Sequence, residues 1–308
     1  MPRADAVTLR QLRALSAVAR LGSLTAAGKE LGLTTPAIHS QIKTLEEAVG
    51  APVLQRHADG SGSGLTQAGQ VLLEGAERVQ VALSQSLGRI AALQAGKEGR
   101  VVLGVVSTAK YFAPRLVQML RRLHPGIDVS LVIGNREEIL RDMALMRFDL
   151  TVMGRPPRHP PVEAQPIGPN PHGLIAPPDH PLVGQHALSA ADLAAETFLS
   201  REEGSGTRIL MTRYLDRLGD GAPFDLVEMG SNETIKQAVM AGLGIAFLSL
   251  HTVAGELRTG QLVTLDVPGL PIERHWFLIR PLGQTELPAA RELGRTILAL
   301  KGAFLPQV

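Results

Sequence analysis

An α/β chain that opens with an all-helical winged helix-turn-helix and closes with two α/β lobes is what the sequence predicts, on three observations. Capped helical patterns with glycine stops fill residues 8–50. A proline-free stretch from Thr66 to about Gly96 repeats apolar residues about every 3.5 positions. After residue 97, buried-strand patterns alternate with helical ones, the order of a parallel sheet with helices on its faces.

Composition bounds this reading. A chain of 308 residues suits about two domains, and 44% hydrophobic against 19% charged residues suits a folded globular chain. No cysteine is present, which excludes disulfides, thiolate zinc sites, iron–sulfur clusters and a cysteine nucleophile, and fits a reducing compartment. Met1 to Arg13 carries charges and no long apolar run, so no secretory signal is expected. No stretch reaches the ~18 uninterrupted apolar residues of a membrane helix. A cytoplasmic chain with no membrane partner follows as the expectation. Net charge is only +2, yet Thr8 to Arg56 holds an excess of three positive charges, a local basic bias.

The first predicted helix starts at Thr8-Leu9-Arg10-Gln11, a capping box. Leu9, Leu12, Leu15 and Ala19 recur at helical spacing, and Gly22 ends the helix. Ser23 caps a second helix with Leu24, Ala27 and Leu31 on one face, and Gly32 ends it. Thr35 is read as the N-cap of the third, with Pro36 at the first helical position. At about 100° per residue, Ile38, Ile42, Leu45 and Val49 share one face, and Pro36, His39, Ser40 and Lys43 project from the other.

Helix two, a tight turn and helix three form a helix-turn-helix, whose outward face fits the major groove of double-stranded DNA. Thr34, Thr35 and Ser40 can bond phosphates or base edges. His39 can donate or accept, and Lys43 can pair with a phosphate or guanine. Val53 to Arg56 reads as a strand, Asp59 to Gly64 as a flexible tip, and Leu65-Thr66 as the return. Arg56 of this two-stranded wing is placed for the phosphate backbone. The competing reading is a purely structural three-helix bundle with Lys43 and Arg56 as ordinary solvated charges.

These residues resemble the signature of LysR-type regulators. The resemblance runs through Leu12-Arg13-Ala14-Leu15, Gly22 to Ala27, Leu33 to Glu46, Gly50 to Arg56 and Leu65 to Gly69, nearly the whole of residues 1–65. The chain departs from the family pattern at Thr35, His39 and Ser40, where base preference is set, and at Leu54-Gln55, where an aromatic is lost. The resemblance implies a transcription regulator, with RNA polymerase as a further partner.

Residues 66–96 then form a linker helix. Leu72, Ala76, Val79, Leu83, Ser86, Ile90 and Leu93 make a coiled-coil seam, which Gly75 and Gly88 weaken. A lone helix with such a seam exposes it, so a second copy or another part of the chain must cover it. Pairing is preferred, because linked half-sites raise affinity for DNA. The resemblance implies the same, usually as a homotetramer built from dimers.

Residues 97–308 are the expected effector-binding region, with lobe one at 97–165 and 268–308 and lobe two at 166–267. Strands are expected at Arg100–Val106, Ile127–Ile133 and Asp149–Met153, with helices near Phe112–Leu123 and Glu137–Met146 between them. A proline-rich loop spans Arg155–Pro161. Lobe two follows with strands near Gly173–Ala176, Thr197–Ser200, Leu226–Met229 and Gly244–Leu248, and helices at Thr207–Leu218 and Asn232–Ala241. His275–Ile279 and Leu287–Leu300 return to lobe one. Two lobes crossed twice by the chain resemble periplasmic binding proteins, with a cleft between them.

Ligands of such sheets sit beyond the carboxyl ends of strands, at helix N-termini. The loops there hold Ser107, Thr108 and Lys110, then Asn135 and Arg136, then Gly154 and Arg155. In lobe two they hold Arg201, Glu202, Ser205, Thr207 and Arg208, and then Asn232. A single hydroxyl before a helix is usually just a cap. Several such loops converging favour a small anionic metabolite, a phosphate or carboxylate.

Ser107 to Arg115, Gly134 to Glu137, Arg201 to Arg208 and Gly230 to Val239 resemble the branch of the LysR family that regulates Calvin-cycle carbon fixation operons. That resemblance implies ribulose bisphosphate, another phosphorylated metabolite or NADPH as effector, and no resident cofactor. Lys110, Arg136, Arg201 and Arg208 are the expected phosphate binders. A LysR-type regulator of another pathway sensing a carboxylate stays open. An enzyme finds no support: there is no HExxH, and no G-x-S-x-G with a usable serine. A plain solute-binding protein is disfavoured by the first 95 residues.

Overall fold

The computed structural model describes residues 4–56, 62–94, 97–282 and 286–308, and divides into two units, Met1–Leu87 and Gly88–Val308. In the first unit, α1 (Leu9–Leu21), α2 (Leu24–Leu31) and α3 (Thr35–Val49) precede a hairpin of β1 (Leu54–Arg56) and β2 (Ser63–Leu65), followed by α4 (Gln67–Gln94), whose last turns belong to the second unit. The Thr8 capping box forms, with Thr8 N–H donating to Gln11 Oε1 at 2.7 Å.

The buried face of α1 is rotated from the expected one. Ala14, Leu15, Ala17 and Val18 are buried, whereas Leu9 is exposed and Leu12 and Ala19 are half-buried. Both α2 and α3 pack on α1, so its buried arc widens beyond the Leu9–Leu12 line. The cap of α3 also moves by one residue. Thr34, in extended backbone, accepts from the Ala37 N–H at 3.3 Å, so Thr35 is already helical and Pro36 is the second helical residue. Gly28 permits the turn into α3, since a Cβ there would sit 2.7 Å from the Leu33 carbonyl oxygen. At Gly69 a Cβ would lie 2.0 Å from the Val53 carbonyl oxygen, so only glycine lets α4 pass the start of the wing.

The wing pairs antiparallel, Leu54 with Leu65 and Arg56 with Ser63, so Ser63 and Gly64 belong to the strand rather than to the tip. Asp59 to Ser61, expected at the tip, lie outside the described residues. Glu46 of α3 holds the wing through its Oε1, which accepts from the Val53 N–H at 2.8 Å.

The second unit contains β3 (Gly99–Val106), α5 (Ala113–Leu123), β4 (Ile127–Gly134), α6 (Arg136–Ala144), β5 (Leu150–Met153) and β6 (Val162–Pro169). It continues with β7 (His172–Ala176), α7 (Ala190–Leu193), β8 (Thr197–Arg201), α8 (Gly206–Leu218), β9 (Asp225–Met229), α9 (Asn232–Met240) and β10 (Ile245–Ser249). Last come α10 (Ala254–Thr259), β11 (Val263–Thr264), β12 (His275–Pro281) and α11 (Pro288–Ala299).

Two five-stranded sheets form, in the orders β4-β3-β5-β12-β6 and β11-β7-β10-β8-β9. Neither is purely parallel as expected. β12 runs antiparallel to β5 and β6, and β7 runs antiparallel to β10 and β11. A chain that crosses between lobes enters the next sheet from the opposite end, which reverses these strands. Pro169 of β6 still pairs with His275, so the first crossover follows Pro169 rather than residue 165. β6 is not legible in the sequence because it carries Pro166 and Pro169, which a sheet accepts only at its edge, where β6 lies.

Each sheet buries apolar side chains on both faces. In the first lobe Leu103, Leu116, Trp276 and Ile297 centre one core, and Ile139, Met143 and Phe148 the other. In the second, Phe198, Met211 and Phe247 lie on one side and Leu199, Ile235 and Leu248 on the other.

Candidate nucleic-acid interface and ligand cleft

α3 is fixed by Ile38, Ile42 and Leu45, which pack into the core of the first unit with Leu15, Val18 and Ala27. That packing turns Pro36, His39, Ser40 and Lys43 outward, and all four are exposed, as is Thr34. Thr35 is half-buried, with its hydroxyl 3.5 Å from that of Thr25. His39 and Lys43 make no side-chain bond within the described residues. Their donors are therefore available to a partner. Arg20 is committed to Glu30 and is less available. The side chain of Arg56 lies outside the described residues.

α4 presents an apolar stripe. Leu72 packs on the core beside α3 and Ala76 is buried, but Val79, Leu83, Ile90 and Leu93 are exposed within the chain. The helix runs from Gln67 to Gln94, and Gly96 of the expected linker lies outside the described residues.

Between the lobes of the second unit lies an open cavity of about 110 Å³. Its walls come from the ends of β3 and β5, the start of α6, the strands that cross between lobes, and the start of α8. Of the expected ligand residues, Ser107, Thr108, Arg136, Gly154, Ser205 and Thr207 line it. Ser205 precedes α8 without bonding its own helix, so the first N–H groups of α8 keep no side-chain cap. Such a terminus attracts an anion.

Four arginines edge this cavity: Arg136, Arg155, Arg213 and Arg274. No carboxylate lines it, and none of the four has an ion-pair partner among the described residues. Burial, together with the like charge of Arg155, lowers the Arg136 pKa from the usual guanidinium range. Arg136 Nη1 instead donates to the Arg155 carbonyl oxygen at 2.6 Å. An uncompensated cationic cleft of this kind calls for an anionic guest.

Six expected residues do not line the cavity. Arg201 is only 3% exposed and is consumed by Glu202, by Asn232 Oδ1 at 2.5 Å and by Ser107 Oγ at 3.1 Å. Glu202 and Asn232 are thereby its partners. Arg208 pairs with Glu228 and with the Arg201 carbonyl. Lys110 lies 5.1 Å from the Tyr111 ring centroid. Asn135 caps α6, accepting from the Glu138 N–H at 2.9 Å. For all of these but Lys110, which makes only this ring contact, an internal partner satisfies the group that was expected to face a ligand.

Asn170, His172, Arg213 and Arg274 also line the cavity, and sequence reasoning missed them. Asn170, His172 and Arg274 sit on or beside the segments that cross between the lobes, away from the strand-to-helix loops. Arg213 lies two turns into α8. Arg155 stands in one of the expected loops but outside the expected set of phosphate binders.

Comparison with known proteins agrees with this arrangement. Residues 9–70 match the family model described as "Bacterial regulatory helix-turn-helix protein, lysR family", and residues 94–300 match "LysR substrate binding domain". The chain is 57% identical to the HTH-type transcriptional regulator CbbR of Cereibacter sphaeroides, over 99% of each chain. It is 41% identical to the RuBisCO operon transcriptional regulator of Allochromatium vinosum, over 95% of this chain and 96% of the other. Among solved structures, the regulatory domain of Synechocystis PCC6803 CcmR in complex with 2-PG matches with a TM-score of 0.62 and 36% identity, covering 66% of this chain and 97% of that one.

Proposed function

Because this chain belongs to the LysR family of transcription regulators, we propose that it controls a carbon-fixation operon and does so in response to a small phosphorylated anion held between its lobes. Membership makes it a DNA-binding, metabolite-responsive regulator rather than an enzyme. The pathway rests on the relatives named CbbR and the RuBisCO operon regulator, each matched over nearly the whole chain. The single observation that carries the effector class is the ring of four arginines with no carboxylate among them.

On this reading α3 enters the major groove through His39, Ser40 and Lys43, with Thr34, Thr35 and Pro36 at its leading end. Arg56 follows the phosphates from the wing. Arg136 and the free N-terminus of α8 hold the anion, Ser107, Thr108 and Thr207 add hydroxyl donors, and Gly154 leaves room for it. Ribulose bisphosphate, another sugar phosphate and NADPH are the candidates. Copies pair along α4, as a dimer or a tetramer, and the bound regulator activates transcription by contacting RNA polymerase. It works in the cytoplasm, where its operator is; among the described residues no helix is long and apolar enough to cross a membrane.

Footprinting upstream of the neighbouring, oppositely transcribed operon, with and without these metabolites, tests the proposal. Protection that lengthens, shortens or shifts with a phosphorylated metabolite is expected, with calorimetric binding that Arg136→Gln weakens about tenfold or more. No protected site overturns the DNA reading. No heat and no change in protection with any candidate overturns the carbon-fixation reading.

A further inference from the structure

We propose that His172 determines the specificity of the cleft by requiring that its anionic guest also carry a hydroxyl group. The inference rests on the reading that the cleft is the effector site, and names which anions it takes.

His172 opens β7, and its backbone is fixed by paired bonds with Ile272 at 3.0 and 2.8 Å. Its ring stacks on Phe247, with centroids 5.8 Å apart and planes 20° from parallel. Position and tilt are therefore set before any ligand arrives. Nδ1 lies 2.9 Å from the Asn170 carbonyl oxygen. A carbonyl can only accept, so Nδ1 carries a proton.

The ring does not carry a second proton. It is 5% exposed, and burial with the nearby charge of Arg274 pushes its pKa down to about 4. Nε2 is then a bare lone pair on a side chain that lines the cavity, with no partner among the described residues.

That lone pair is the odd member of its surroundings. The four arginines only donate. Asn170 has its Oδ1 occupied by the Ser249 hydroxyl at 2.7 Å, which leaves its amide nitrogen as the free end. Of the side chains lining the cavity, His172 alone is limited to accepting. A fully ionised phosphate or carboxylate offers acceptors everywhere and cannot satisfy it. A hydroxyl on the same molecule can, by donating to Nε2 while its anionic groups take the arginines. A site built to bond such a hydroxyl rejects the analogue that lacks it, because the buried group is then left unpaired.

The test uses the full-length protein and two probes that differ by one hydroxyl, 3-phosphoglycerate and 3-phosphonooxypropanoate, titrated by calorimetry. The expected preference for the hydroxylated probe is about tenfold to a hundredfold. His172→Phe keeps the stack on Phe247 but removes the lone pair, and should erase the preference by weakening only the hydroxylated probe. His172→Gln, which restores an acceptor, should recover part of it. Equal binding of both probes to the unaltered protein overturns the proposal without any variant, as does an equal loss of both in a folded His172→Phe. If neither probe nor inorganic phosphate binds the unaltered protein, the effector-site reading itself fails, and the proposal fails with it.

Discussion

Arg201, at the end of β8, donates across the lobes to Ser107 Oγ at 3.1 Å. It does not act alone. Asn232 Nδ2 reaches Thr108 Oγ1 at 3.5 Å, and Tyr111 Oη donates to Glu233 at 3.3 Å. The turn after β3, residues 107–111, is thus clamped to the second lobe beside the cavity that Ser107 and Thr108 line. Both hydroxyls accept in this clamp, so each keeps its own O–H to donate to an anion in the cavity.

Replacing Arg201 should harm the fold more than it harms ligand binding. Arg201→Ala leaves buried Asn232 and half-buried Glu202 without their partner, at a cost of about 1–3 kcal/mol. Urea unfolding checks this. A variant as stable as the parent but unable to bind anions would restore Arg201 as a ligand residue.

Lys43 should act on phosphates. Lys43→Ala is expected to weaken DNA binding similarly on specific and unrelated duplexes, and to reduce the slope of log K against log salt by about 0.9 for each phosphate that the lysine neutralises. Substitutions at His39 or Ser40 should instead alter base preference and leave the slope unchanged. Fluorescence anisotropy across a salt series separates the two. An unchanged slope in Lys43→Ala would remove it from the interface.

The stripe on α4 should hold copies together. Leu83 and Ile90 are 37% and 50% exposed within the chain, so charging them leaves the internal cores intact. The double variant Leu83→Glu, Ile90→Glu is expected to sediment as a monomer with an unchanged circular dichroism spectrum. Retained oligomers would place the main interface elsewhere.

Acidification should destabilise the second unit. Burial holds both His172 and His251 neutral, each with its pKa pushed down to about 4. Unfolding returns them to about 6.5. Between those values the unfolded chain binds more protons, so stability rises with pH through that window and levels off above about pH 7. His251 Nδ1 accepts from Trp276 Nε1 at 3.0 Å. His251→Asn keeps an acceptor there but cannot titrate, and should flatten the slope measured by urea unfolding between about pH 4.5 and 7. An unaltered slope would exclude His251 as a source.

Much of the architecture was legible because it is local. The Thr8 box, the glycine stops at Gly22 and Gly32, and the Ile38, Ile42, Leu45 spacing are set by neighbours a few residues apart. The exposed face of α3 follows from that spacing, and with it His39, Ser40 and Lys43. The alternation of strands and helices after residue 97 was equally readable. The strands β6 and β11 and the short helices α7 and α10 were not, because β6 carries prolines and the others span six residues or fewer.

The sequence by itself determined where the longer helices lie, which outward side chains suit a groove, and that loops rich in arginine and hydroxyl groups follow the strands. Only the tertiary structure decided which arginines remain free. Arg201 and Arg208 are neutralised by carboxylates, while Arg213 and Arg274 have no ion-pair partner among the described residues and line the cavity with Arg136. The physical reason is that most of these partners come from segments distant in the chain, although Arg201 takes its carboxylate from the adjacent Glu202. Arg208 meets Glu228 twenty residues away, and His172 meets Arg274 only because the chain crosses between the lobes twice.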